Sequence, residues 1–228
     1  MTDDPTETVS AKVARLRRLD ACAVSDALDH FGLSGVLDSV APVTGPVRIA
    51  GRVVTVELGP ASAIPATRHL ATAAVMAAGP DDLIVVAHQG RSDSAGWGGN
   101  LSRAAKRRGV AGTIVHGHVR DVDESRDIGY SVFANGSTPR TARGRTEERA
   151  WGGPITLGDL EVATGDFGIG DSTGVAFVRG VDIDRVLAKA ESIVDRESQL
   201  ASAIDLGEPV DDVMGRSYET MVGGTADE

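Results

Sequence analysis

The middle of the sequence constrains the fold most strongly, because apolar strand-like runs there alternate with short helix-like segments. The runs "DDLIVVA", "GTIVH" and "YSVFA" are rich in β-branched residues, as expected of buried strands. The predicted strands are 81–87, the run from Gly112 and 130–134, and the predicted helices between them are 99–108 and 121–127. Since consecutive parallel strands are joined by crossover helices, this β-α-β-α-β order predicts an α/β fold on a parallel sheet.

The remaining segments extend this core into one domain with an N-terminal helical cap and a long C-terminal helix. Helices are predicted at 9–19, 22–31, 66–78 and 182–204, and strands at 47–58, around 155–163 and at 174–178. The polar stretch 135–149 predicts a loop. "GDFGIGDSTG" lacks the glycine spacing and Lys-Ser/Thr ending of nucleotide-binding loops, so it predicts a hairpin turn. We expect a single domain over 1–228, with a core of about 20–205 and mobile acidic termini.

Composition excludes several classes of function. A chain of 228 residues with 41% hydrophobic content can bury one sizeable core. The formal charge of −10 repels nucleic acid, so we expect no nucleic-acid partner. The sequence has one cysteine, Cys22, which we expect to be packed as a small apolar side chain. The acidic start "MTDDPTETVS" and the lack of a long apolar run predict a cytoplasmic protein without a membrane contact.

The stretch "GWGGNLSRAAKRRGVAGTIVHGHVRD" predicts an anion site at the carboxyl ends of two neighbouring strands. The glycines let the backbone approach a ligand, and the free amides of the helix start can bind a carboxylate. A guanidinium and a carboxylate arrive at the end of the next strand. The predicted site residues are Gly98, Gly99, Asn100, Leu101, Arg120 and Asp121. A guanidinium suits a small oxyanion and a carboxylate suits a hard divalent cation, so we expect an α-keto acid held with a metal. Such a site would stabilise an enolate.

Simpler interpretations of the same residues stay open. Asp121 followed by Glu124 resembles a capping box, in which Asp121 only caps the next helix. Arg120 then becomes a surface charge, and the two glycines only shape a loop.

The order of several strings resembles the RraA-like proteins, which include 4-hydroxy-4-methyl-2-oxoglutarate aldolases and the regulator of ribonuclease activity A. The strings are "VSDALDHFGL", "VRIAGRVVTV", "DDLIVVA", the glycine-turn stretch above, "VFANGSTPR" and "GDSTGVAFV". The resemblance implies a three-layer sandwich with a swivelling β/β/α-like core, assembled as a homotrimer or hexamer. It also implies class II aldolase chemistry, in which Mg²⁺ or Mn²⁺ binds pyruvate enolate and no lysine Schiff base forms.

The resemblance also implies roles for individual residues. The backbone from Gly98 to Leu101 would receive the pyruvate carboxylate, Arg120 would face the keto or enolate oxygen, and Asp121 would approach the metal. Glu197 matches an acidic residue that the family brings from a neighbouring subunit. It falls on the apolar stripe of the last helix, where a carboxylate needs a partner; the alternative places it at the edge of the stripe, in solvent.

This chain departs from the family at two strand ends. Many members have aspartate where this sequence has Ala87 and His116, with His88 and His118 close by. His116 and His118 would share one side of an extended strand, which allows a second metal or acid–base catalysis. A structural role for these histidines is the alternative.

We therefore expect a metal-dependent lyase acting beside the keto group of a small α-keto acid, of the hydroxy-methyl-oxoglutarate aldolase or oxaloacetate decarboxylase type. One alternative is a non-catalytic regulatory or binding protein on the same scaffold. Another is a divergent biosynthetic enzyme that uses His116 and His118 on a different substrate.

Overall fold

A computed structural model describes residues 7–63 and 68–215. Its helices are α1 Val9–Leu16, α2 Ala21–His30, α3 Thr72–Ala77, α4 Gly99–Arg107, α5 Val122–Asp127, α6 Ile183–Asp205 and α7 Val210–Val213. Its strands are β1 Val36–Leu37, β2 Ala41–Thr44, β3 Ile49–Pro60, β4 Asp82–Ala87, β5 Gly112–Val119, β6 Val132–Ser137, β7 Thr146–Trp151, β8 Ile155–Leu157, β9 Leu160–Val162, β10 Phe167–Gly170 and β11 Val175–Val178.

Most of the strands join one mixed sheet in the order β1-β11-β10-β3-β4-β5-β6-β2, and β7 pairs with β3. The neighbouring strands β3, β4, β5 and β6 are parallel to one another. The helices α4 and α5 connect β4 to β5 and β5 to β6. The predicted β-α-β-α-β core is therefore confirmed.

The sheet separates a helical layer from a second β layer. On β3, Ala50, Val54 and Val56 belong to the clusters under the helices, whereas Ile49 and Val53 belong to a cluster that includes the β8–β9 hairpin. Because side chains alternate along a strand, these two groups lie on opposite faces. The α/β three-layer prediction is thus confirmed in its β/β/α form.

The N-terminal cap and the C-terminal helix lie together on the helical face. Leu16 of α1, Val24 of α2 and Val186 of α6 are fully buried and share one cluster with Ile169 of β10. Thr8 and Asp20 begin the first two helices, and each accepts a hydrogen bond from a first-turn amide. The predicted cap and long terminal helix are confirmed.

Two strands lie where the sequence predicts loop or turn. The polar stretch 135–149 runs into β7, which lengthens the sheet antiparallel to β3. The segment "GDFGIGDSTG" does turn as a hairpin, but its first half is the buried strand β10. Its glycines are required by packing: a Cβ on Gly170 would lie 3.1 Å from the Phe133 ring. Glycine lowers strand propensity, so the composition concealed this strand.

Some predictions fall outside the described residues. The acidic C-terminal tail lies mostly within 216–228, and the start of the helix predicted at 66–78 touches 64–67. Within 7–63 and 68–215, no helix combines the length and apolar character needed to span a bilayer.

Candidate active site

A cleft of about 330 Å³ lies at the carboxyl ends of β4 and β5 on the helical side of the sheet. It is lined by His69, Leu70, Ala95, Trp97, Gly98, Gly99, Asn100, Leu101, Arg120, Asp121, Thr141, Ala142 and Arg143. The residues predicted from the glycine turn and from the end of the next strand therefore converge on one cavity. Its position agrees with the rule that ligands of α/β sheets bind beyond the carboxyl ends of parallel strands.

Glycine at position 98 is required by the approach of two side chains from β5. Gly98 has an extended conformation at the start of α4, and a Cβ there would lie 2.9 Å from Asp121 Oδ2 and 3.1 Å from Arg120 Cγ. Such contacts are shorter than van der Waals separation, so any larger residue would displace Arg120 and Asp121. The glycine is part of the site geometry rather than only of the loop.

In the first turn of α4, one backbone amide is hydrogen-bonded within the protein and the next two are free at the cleft. The Gly99 N–H donates to Asp121 Oδ2 over 3.0 Å, so this amide is already bound to a carboxylate. The Asn100 and Leu101 amides are in the same first turn, where no carbonyl of the helix is available to them. They are the donors that an incoming carboxylate can use.

The Asp121 side chain does not cap α5, although the Asp121 carbonyl oxygen accepts from Ser125 N. The Asp121 backbone is left-handed, with φ 55° and ψ 40°, and the side chain accepts no hydrogen bond from the helix start. The carboxylate instead accepts from Gly99 N and lies 3.1 Å from the Arg120 Nε. The capping-box interpretation is therefore wrong, because the left-handed backbone directs this carboxylate away from the helix and toward the glycine turn.

Glu124 is a site neighbour that the capping-box interpretation treats only as a capping partner. A Cβ on Gly99 would lie 2.5 Å from the Glu124 carboxyl carbon, so this side chain occupies the space beside the glycine turn. Its Oε1 accepts a hydrogen bond of 2.8 Å from Arg103. Asp121 and Glu124 are three residues apart, the helical spacing that places side chains on one face, and this signal was available in the sequence.

The two carboxylates fit a hard divalent cation. Magnesium is usually held by one or two carboxylates, while water and substrate oxygens complete its shell. The described part of the chain contains no group of three or more His, Cys, Asp or Glu side chains arranged to enclose a metal. An open site with one or two protein ligands is the arrangement that these residues can support.

A buried hydroxyl network fixes the two helices that deliver these groups. Trp97 Nε1 donates to Ser102 Oγ over 2.9 Å, and Ser125 Oγ donates to the same oxygen over 2.8 Å. All three side chains are buried. The network joins the glycine turn, α4 and α5, so it holds the amides and Asp121 in register.

Two further polar side chains line the same cleft. His69 and Arg143 arrive from two loops distant in sequence and are largely exposed there. Arg143 and Arg120 give the cleft two guanidinium groups, which suit a ligand with more than one carboxylate.

The histidines do not form a shared centre in this cleft. His88 is fully buried and its Nε2 lies 2.9 Å from the Ser94 carbonyl oxygen. His116 lines a separate cleft, which His118 does not line, and the register of β5 against β6 shifts between Val115 and His118. Burial lowers the pKa of both His88 and His116, so both rings are neutral at neutral pH.

Glu197 lies on α6 at a different cleft of about 490 Å³, shared with Asp20, Cys22 and Arg48. Burial, with the nearby carboxylates of Asp20 and Asp26, raises the pKa of Glu197. The side chain is exposed within the protomer. A single chain therefore does not bring it to Arg120 and Asp121. Cys22 is also exposed, so the expectation of a packed cysteine is wrong.

Comparisons with known proteins agree with this architecture. The family model RraA-like, described as Aldolase/RraA, matches residues 21–177. DlpA of Legionella pneumophila is 27% identical over 201 residues, which are 88% of this chain but 33% of DlpA, so the chain spans about a third of that relative. The 4-hydroxy-4-methyl-2-oxoglutarate aldolase of Thermus thermophilus is 32% identical over 133 residues, covering 58% of this chain and 76% of that protein.

A solved structure gives the same result for the fold. The crystal structure of an uncharacterized protein from Pseudomonas syringae pv. tomato aligns with a TM-score of 0.82 at 25% identity, over 92% of this chain and 100% of that chain. The match of the family model from α2 through the glycine turn into β11 shows that this chain belongs to the RraA-like family.

Proposed function

We propose that this chain is a metal-dependent lyase that breaks, or in reverse forms, a carbon–carbon bond beside the carbonyl of a small α-keto acid. The hydrogen bond from Gly99 N to Asp121 Oδ2 carries the proposal. This hydrogen bond holds the Asp121 carboxylate, a ligand for a hard cation, next to the free amides of α4 and next to Arg120. An α-keto acid offers the complementary groups, a carboxylate and an adjacent carbonyl oxygen. The activity in the name of the Thermus relative supports this substrate class.

The donor set fits Mg²⁺ or Mn²⁺. Asp121 would hold the cation, with Glu124 near enough to contribute directly or through water. When bound, the cation supplies positive charge that stabilises the oxyanion on the substrate carbonyl.

The residues of the chain bind and orient the substrate. The Asn100 and Leu101 amides receive the carboxylate at the positive end of α4. Arg120, about a third exposed at the cleft, donates toward the carbonyl oxygen. Because charge on that oxygen grows as the bond breaks, Arg120 acts more strongly on the transition state than on the ground state.

Arg143 favours a substrate with a second carboxylate. It lines the same cleft as the glycine turn and Arg120, and it can bind a carboxylate through two parallel hydrogen bonds. Hydroxy-methyl-oxoglutarate and oxaloacetate both carry carboxylates at their two ends. We therefore assign substrates of this type to the cleft.

The bonds that break in decarboxylation and in aldol cleavage show which reaction is the simplest assay. When the carbon–carbon bond of oxaloacetate breaks, its electron pair passes to the carbon beside the carbonyl, carbon dioxide leaves, and protonation of the enolate gives pyruvate. Aldol cleavage follows the same course, but the substrate hydroxyl must first give up a proton. Decarboxylation needs no such base, so it tests the enolate site directly.

The test is pyruvate formation from oxaloacetate with Mg²⁺ or Mn²⁺, repeated with a chelator. Pyruvate formed above the metal-only background, and lost with the chelator, supports the lyase. If no keto acid is cleaved with any divalent metal, the proposal fails and a regulatory or binding role on the same scaffold is favoured.

We further propose that the chain works as a homotrimer or hexamer, in which Glu197 of one subunit approaches the cleft of its neighbour. The apolar stripe of α6 supports this assembly. Its first half is buried against the sheet up to Ile193, whereas Ile204 is exposed in the protomer. An exposed continuation of an apolar stripe suits contact with another subunit.

A further inference from the structure

A second cleft, of about 300 Å³, lies at the carboxyl ends of the same central strands but on the opposite face of the sheet. Glu57, Ala87 and His116 stand in register across β3, β4 and β5. Thr156 and Gly158 of the β8–β9 hairpin form the opposite wall. Since ligands of α/β proteins bind beyond the carboxyl ends of strands, this position is suited to a binding site.

The polar side chains that face this cleft have no protein partners. Within the described residues, neither Glu57 nor Gln89 makes a side-chain hydrogen bond or an ion pair, although Glu57 is half-buried. The His116 Nδ1 atom is buried without a hydrogen-bond partner. Because Glu57 is half-buried at this cleft without a protein partner, its carboxylate is available to a ligand that enters the cleft.

Backbone strain lies at the same place. Gln89 has a left-handed backbone with φ 56°, and Gly90 follows it with φ 64°. This backbone conformation costs a non-glycine residue conformational free energy, and residues strained in this way cluster at functional sites. Glycine at position 89 would remove the strain, whereas glutamine keeps a side-chain amide at the cleft.

The imidazole of His116 offers a donor rather than a metal ligand. Nδ1 is buried and unpartnered, so the ring presents its Nε2 edge to the cleft. A buried N–H without an acceptor is costly, which keeps the proton on Nε2. A metal-bound histidine almost always donates its other N–H to a partner, and here Nδ1 has none.

The charge and width of the cleft define the ligand. Glu57 is the charged member of the six lining residues, because His116 is neutral, so the cleft attracts cations and disfavours anions. Glu57 and His116 are two strands apart, about 10 Å between Cα atoms, with the small Ala87 between them. Two side chains that start this far apart leave room between them for a ligand of only a few heavy atoms.

We propose that this cleft binds a small amine whose ammonium group contacts Glu57 and whose oxygen accepts from His116. The site is independent of the lyase cleft, and its ligand has the opposite charge to a keto acid. Gln89 and Thr156 add polar contacts at the rim.

Ethanolamine is the simplest probe that carries both an ammonium group and an oxygen, and acetate and ethylene glycol are its controls. Titration of the full chain, followed by the ¹⁵N resonances of the histidines, should show saturable binding of ethanolamine that shifts His116. A dissociation constant in about the millimolar range is expected for so few atoms. Ethylene glycol should bind more weakly, and acetate should not compete.

Variants separate this site from other sources of the signal. Glu57→Gln keeps the shape and removes the charge, and Ala87→Leu fills the floor; each should weaken binding at least tenfold. Gln89→Gly should raise the melting temperature and weaken binding. Arg120→Ala, in the lyase cleft, is the matched control and should leave ethanolamine binding unchanged. The proposal is overturned if ethanolamine does not saturate, if acetate binds as well, or if Arg120→Ala rather than Glu57→Gln abolishes binding.

Discussion

Asp121→Asn is expected to abolish metal-stimulated turnover while leaving the fold intact, and the structure gives the size of both effects. The asparagine amide oxygen can still accept the hydrogen bond from Gly99 N. Asparagine also adopts the left-handed backbone found at position 121 more readily than most residues. The lost ion pair with Arg120 is about a third exposed on each side, so its loss costs at most about 1 kcal/mol.

Asp121→Ala provides the contrast. Alanine must adopt φ near 55° without a polar side chain, and it leaves Gly99 N without its acceptor. These effects together cost about 2–3 kcal/mol of unfolding free energy. For a chain of this size the melting temperature should fall by about 4–12 °C, against at most about 4 °C for Asp121→Asn.

The assay combines thermal unfolding, Mn²⁺ titration by calorimetry and oxaloacetate turnover with and without chelator. Both substitutions should lose metal binding at the site and metal-stimulated turnover, because neither supplies the negative charge that a hard cation requires. Asp123→Asn is the control: this side chain is 92% exposed and pairs with Arg126 on the same helix. Asp121→Asn with native metal affinity and native turnover would refute the assignment of Asp121 as a ligand.

Three further expectations follow from the same structure. Arg120→Lys keeps the charge but loses the planar fork, so kcat should fall at least about a hundredfold, while oxalate still binds weakly by calorimetry; a rise in KM alone would make Arg120 a general anion anchor. Light scattering at micromolar concentration should report a trimer or hexamer. A monomer would contradict the proposal that Glu197 of one subunit approaches the cleft of its neighbour. Burial lowers the pKa of His88 and His116 below 6.5, so the unfolded chain takes up protons first as pH falls. Stability should be fully present above about pH 6.5 and decline below it, by up to about 1.4 kcal/mol per pH unit for each histidine. His88→Gln, which can still donate to the Ser94 carbonyl, should make thermal melts between pH 7.5 and 5.5 less pH-dependent; an unchanged dependence would exclude His88 as a source.

The sequence indicated the core of the fold because its strands and helices are encoded locally. The run from 81 to 134 alternates apolar β-branched strands with amphipathic helices, and short crossovers leave one topology for such an order. Strands β7 and β10 were missed for the opposite reason. Thr146–Trp151 is mostly polar, and Phe167–Gly170 is half glycine. Each is a strand because neighbouring strands pair with it: β3 with the first, and β3 and β11 with the second.

In the candidate site, too, some features are encoded locally in the sequence and others depend on tertiary contacts. Gly98 and Asp121 could be paired from sequence, because both follow neighbouring parallel strands whose carboxyl ends meet at one edge. The left-handed backbone of Asp121 could not be read from its neighbours, since the spacing to Glu124 equally suits a capping box. The contact with the glycine turn, rather than local propensity, directs this carboxylate.

By itself the sequence determined the α/β core, the helical cap, the long terminal helix and the convergence of the glycine turn with Arg120 and Asp121, because each depends on periodicity or on order along the chain. The tertiary structure alone brought His69 and Arg143 to the cleft of the glycine turn and set Glu57 in register with His116 across Ala87. These residues lie on loops or strands distant in sequence. Their proximity comes from sheet register and loop packing, which are properties of the folded chain and leave no local pattern to read.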